Sequence, residues 1–187
     1  CVVFSASLVL SSYVLGIVAL TVYIRNYKLI GAGFFWLMYG SAFGLTLLTL
    51  LADLSPLLLM SSFLTFILLT ESIVNRKTIK NNVNKLLGIS SVVILTVIFG
   101  IYTYEIANSE SIERLWLEVI RFYAGSALLG GVTTAMLLGH WYLVQPGLSR
   151  KPITDLCNVC ILALIINTGL WLIYPSMISV LKSQRVV

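Results

Sequence analysis

The chain has 187 residues, of which 59% are hydrophobic and 10% charged, whereas soluble domains carry about 25% charged residues, so a water-soluble globular domain is excluded. Its net charge of +5 is gathered in particular loops, as membrane topology requires, so nucleic acid is not an expected partner. The expected fold is an all-α, polytopic transmembrane bundle forming a single domain over 1–187, with the lipid bilayer as its first partner.

Spanning helices need about 20 apolar residues each, which divides the chain into six, over 1–24, 30–52, 56–74, 85–104, 115–144 and 157–174. The first begins Cys1-Val2-Val3-Phe4, without the polar tether that follows a lipid-modified cysteine. Cys1 in place of Met, and an ending at Arg185-Val186-Val187, point to a piece of a longer reading frame. The second span holds Gly40 and Gly44, a small-xxx-small pair suited to close helix approach. The third opens with Ser55-Pro56, an N-cap residue followed by proline where its missing donor costs nothing. Near its end, Glu71 lies within a turn of the basic loop and is expected to reach headgroup water or Lys77.

The fifth segment, if wholly helical, would reach about 45 Å against a hydrocarbon core of roughly 30 Å. Its charged start, Glu113 to Arg121, is expected to project, with Glu118 and Arg121 paired on one face. Further along, Ala127, Gly131, Ala135 and Gly139 recur every four residues, with Ser126 and Gly130 alongside. A stripe so free of bulk admits another helix or a flat cofactor, and helix packing is the expected use. His140, Trp141 and Tyr142 follow at the basic end of the same helix. His140 is the only histidine, so the chain cannot sandwich a haem between two of its own imidazoles. It can still contact a haem, chlorophyll or quinone, although nothing in the sequence requires a cofactor.

Cys157 and Cys160 make a CxxC at the start of the sixth span. The spacing resembles that of membrane thiol–quinone oxidoreductases of the vitamin K epoxide reductase kind, which implies a redox disulfide; those enzymes use a second cysteine pair, and this chain has three cysteines in all. Filling by two small apolar side chains is the expected role. Asn167 and Thr168, followed by Gly169, stand mid-helix as a candidate neutral polar site. Residues 175–187 are expected to be interfacial or to begin a further element.

Arg25, Lys28, Arg76, Lys77, Lys80, Lys85, Arg150 and Lys151, eight of the twelve basic residues, fall in the loops 25–29, 75–85 and 145–156. Those loops are expected on the inner side of a bacterial inner membrane or an organellar membrane. Trp36 and Trp141, with Tyr23 and Tyr142, form the expected inner aromatic belt; Trp116 and Trp171, with Tyr102, Tyr104 and Tyr174, form the outer one. Spans one, two, four and six carry no ionisable residue near their centres, which argues against a proton relay or an ion-coupled transporter. Three functions fit this chain: a non-catalytic integral subunit packed among other membrane subunits, as in a bioenergetic complex; a small transporter or channel for a neutral solute; or an electron-transfer protein using His140, Trp141 and Tyr142.

Overall fold

The computed structural model describes residues 2–25, 27, 30–52, 54–74, 82–107 and 112–173. Among them are six helices and no strand: α1 (Val2–Ile24), α2 (Ala32–Ala52), α3 (Pro56–Val74), α4 (Asn82–Ala107), α5 (Ile112–Val144) and α6 (Lys151–Ile173). Five are long and apolar enough to cross a membrane, and α4 adds the shorter apolar stretch Leu86–Tyr102. The chain is built as an integral, multi-pass membrane protein.

Helix ends follow local chemistry. Ser55 caps α3 through its Oγ, which accepts from the Leu58 amide at 3.4 Å, and Pro56 takes the first helical position. Between α5 and α6 the chain turns through Pro146 and Gly147, the latter at φ +98°, a left-handed conformation that only glycine adopts without strain. The structure corrects the start of α6 from 157 to Lys151, because Pro152 is tolerated in a first turn and the polar Lys151-to-Asp155 turn lies ahead of the apolar run. The third basic loop shrinks accordingly.

Packing registers set the topology. Ser7 meets Tyr102 and Val22 abuts Gly88, so α1 and α4 are antiparallel. Thr46 meets Thr65 and Phe43 meets Phe66, making α2 and α3 antiparallel. Gly131 meets Cys160 and Gly139 meets Ile153, so α5 and α6 are antiparallel too. By contrast, Gly16 meets Gly130 at mid-helix, and Tyr27, just past the end of α1, meets Asp155 in the first turn of α6, where α5 also ends; the two C-terminal ends share one end of the bundle, so α1 and α5 are parallel. Helix α1 is central, touching α2, α4 and α5, whereas α6 packs principally on α5. Of the described basic residues, Arg25, Arg150 and Lys151 thus lie toward one end of the bundle, called here the basic end.

Most described hydroxyls inside this apolar bundle find partners within the protein, those of Ser11, Tyr39 and Thr134 being the exceptions. Most bond back to a carbonyl three or four residues earlier, as Thr21 does to Ile17 at 2.6 Å and Ser126 to Phe122 at 2.8 Å. Others staple helices together. Ser7 and Tyr102 share a bond of 2.9 Å, Tyr13 and Thr133 one of 2.7 Å, Thr46 and Thr65 one of 3.1 Å, and Tyr123 donates to the Thr96 carbonyl at 2.9 Å. Tyr102 is therefore buried in the bundle, a correction to its expected place in the outer aromatic belt; its hydroxyl is occupied by α1. Tyr104 is exposed, whereas the side chains of Trp116 and Trp171, all of Tyr174, and residues 175–187 lie outside the described set.

Candidate functional site

Three constellations carry polar or close-approach chemistry, and the first is the spine of α5. Gly130 and Ser126 face α1 across a backbone-to-backbone contact. A Cβ on Gly16 would lie 1.9 Å from the Ser126 carbonyl oxygen, and one on Gly130 would lie 2.2 Å from the Gly16 carbonyl carbon. On the adjoining side, a Cβ on Gly131 would lie 2.5 Å from the Cys160 sulfur, while one on Gly139 would stand 3.7 Å from Ile153. Ala127 and Ala135 are half-buried between these levels. Small residues thus seat two neighbours on one helix, α1 on one side and α6 on the other. In α2, a Cβ on Gly40 would stand 3.8 Å from Leu69, whereas Gly44 has nothing within 4 Å.

The second constellation is a charged node where α1 and α3 end. The Arg25 guanidinium donates to both Glu71 carboxylate oxygens, Nη2 to Oε1 at 2.9 Å and Nη1 to Oε2 at 3.3 Å. Both side chains are less than 10% exposed, at 7% and 8%. The expectation that Glu71 reaches water or Lys77 is thereby corrected: two-point geometry inside the bundle gives the carboxylate its countercharge without leaving protein. Burial disfavours the Arg25 charge, but the bond to Glu71, with the Tyr39 hydroxyl beside it, raises its pKa above the ordinary value. That hydroxyl is itself buried and makes no hydrogen bond of acceptable geometry. Arg25 lies just past the described end of α1, so the helix centres are still free of charge.

His140, Trp141 and Tyr142 form the third. Consecutive helical residues point about 100° apart, and these three diverge. Trp141 turns inward, its ring edge-on to Phe34 with centroids 6.0 Å apart and its Nε1 donating to Gln145 Oε1 at 3.2 Å. Gln145 Oε1 also accepts from the Gly31 amide at 3.1 Å, which latches the start of α2 to the end of α5. Tyr142 donates to the Ser149 carbonyl at 2.5 Å, bracing the following turn. His140 is exposed, on the outward line of Met136 and Leu143.

No protein-family model, curated protein or solved structure matches this chain.

Cys157 and Cys160 both bear free thiols, Cys157 exposed and Cys160 half-buried against Gly131. Asn167 donates its amide to the Ala163 carbonyl at 2.9 Å, and Thr168 points to the exposed side; the structure does not bring the two together. The described residues include no cluster of three or more His, Cys, Asp or Glu that could hold a metal. The Glu118 side chain lies outside the described set, and with it the expected pair to Arg121. Sequence reasoning missed Gly16, the Arg25–Glu71 pairing and the Gln145 latch. Gly16 had a signal, as a lone glycine mid-span; Gln145 had none.

Proposed function

We propose that the protein is a non-catalytic integral membrane subunit, packed through its helices within a larger membrane assembly. The observation that carries this reading is polarity on the outside of α6: past its polar first turn, Asn158 and Thr168 are exposed among apolar side chains. Hydrocarbon offers such groups no partner, whereas a neighbouring transmembrane helix does. The basic end is assigned to the inner face of a bacterial or organellar membrane by its loop charge. Gentle detergent extraction followed by native mass spectrometry tests the reading. A band heavier than the 20.6 kDa chain is expected, and a lone 20.6 kDa species would remove the reading.

One observation favours a second reading. The His140 imidazole is exposed and makes no hydrogen bond among the described residues, so a haem, chlorophyll or quinone held between this chain and a neighbour can be met by it. An absorption spectrum of the extracted complex, with and without His140→Ala, decides it: a cofactor band unchanged by the substitution counts against the contact.

A further inference from the structure

Membrane-facing surfaces of this bundle differ in one respect that hydropathy conceals. The outward face of α3 suits lipid, with Leu59, Met60, Phe63, Phe66 and Ile67 exposed and the hydroxyl of Thr70, on the same line, bonded back to the Ile67 carbonyl at 2.9 Å. The outward face of α6 does not. Asn158, Ile161, Ile165, Thr168 and Leu172 are all exposed, with Ile161 at 57%, Ile165 at 62% and Leu172 at 77%. Their spacing alternates three and four residues, which keeps them on one line along the helix, the seam geometry of two helices crossing at a shallow angle.

Depth makes the polar members consequential. Antiparallel packing sets Lys151 near the level of Trp141, and Asn158 lies about 10 Å further along the helix axis. It stands a turn beyond Asp155, whose carboxylate is held by the Tyr27 hydroxyl. Thr168 is about 15 Å beyond Asn158, still within the apolar Lys151–Leu170 span. Neither Asn158 nor Thr168 has a side-chain hydrogen bond among the described residues, unlike Thr154, which bonds back to Arg150 at 3.0 Å.

We infer that this ridge of α6 is a homodimer interface, occupied by the same ridge of a second copy about a two-fold axis along the membrane normal. The inference rests on the subunit reading above and names its partner. Every copy of one sequence enters the membrane in the same direction, so two α6 helices meeting through one face must run parallel. In a parallel pair each ridge residue meets itself. Self-pairing suits a carboxamide, which is donor and acceptor at once, and a hydroxyl for the same reason; a charged residue would repel its copy, and from Asn158 to Leu172 the ridge has none, Lys151, which continues the line, standing at the basic end of the helix. A buried asparagine at such a position also fixes register. The remaining members, Ile161, Ile165 and Leu172, supply apolar packing on either side of the polar rungs.

Cysteine cross-linking in native membranes tests the interface. In a chain with its own three cysteines replaced by serine or alanine, Ile161→Cys is expected to oxidise to a disulfide-linked dimer. Leu162→Cys, equally exposed but about 100° round the helix, should cross-link far less. Adding Asn158→Leu to Ile161→Cys should weaken association roughly 3- to 30-fold, the range found for single polar contacts between membrane helices. Native mass of the unsubstituted chain guards against misfolded variants, with a multiple of two 20.6 kDa chains expected. Equal cross-linking at positions 161 and 162 overturns the dimer. A heavier complex containing another polypeptide, with no 161-to-161 link, overturns the dimer and leaves the subunit reading standing. A lone 20.6 kDa species overturns both.

Discussion

At the residue scale, glycines in this bundle divide by what a methyl group would meet. Gly130→Ala drives a Cβ into the Gly16 backbone, where nothing can yield except the helices themselves. Overpacking of that kind costs about 1–3 kcal/mol or more, so a lowered midpoint of thermal unfolding in detergent is expected. Gly44→Ala meets nothing within 4 Å and removes backbone entropy from the unfolded chain, so it should be neutral or stabilising by up to about 1 kcal/mol. The Arg25–Glu71 pair makes a second residue-scale prediction. Either Arg25→Met or Glu71→Leu alone leaves one buried charge unpaired, at a cost of about 3–5 kcal/mol, while the double substitution should recover most of that loss. A double variant no more stable than the singles would show that the pair does more than neutralise itself.

Elements are joined here by short-range fastenings, and the start of α6 has one that responds to pH. The Tyr27 hydroxyl donates to the Asp155 carboxylate, and that bond raises the Tyr27 pKa above its ordinary 10. The bond needs the neutral phenol. Its contribution is complete below the unfolded value of about 10 and is lost as pH rises through the higher folded value. Tyr27→Phe should therefore remove one delayed phenol step from a spectrophotometric alkaline titration; a substitution that removes only a phenol titrating at the ordinary value of about 10 would show that the bond to Asp155 does not hold the proton. The element ranges themselves were legible in the sequence for α3, which spans 56–74 as expected. The start of α6 was not, because a polar first turn is invisible to a search for apolar length. For the α5 stripe, sequence pattern located the small residues but not their division between two neighbours, since Gly130 and Gly131 are adjacent in the chain and face different helices.

For the whole molecule, the sequence by itself determined the solvent and the plan. Apolar length, sparse charge and clustered basic loops require an all-helical chain threaded repeatedly through lipid, because only helices and closed barrels satisfy their own hydrogen bonds there and continuous apolar runs of about 20 residues have the length of a helix, not of a barrel strand. Tertiary structure alone decided which sides of those helices face one another. Lipid tails are as apolar as leucine, so the burial of an apolar side chain inside the bundle leaves no trace in hydropathy. Helix α1 is central and α6 peripheral although both read as continuous apolar runs. The parallel meeting of α1 and α5, the partner of Glu71, the withdrawal of Tyr102 into the bundle and the exposure of Asn158 depend on contacts between residues far apart in the chain. Steric fit between backbones and the pairing of sparse polar groups settle them, and neither is encoded in local sequence.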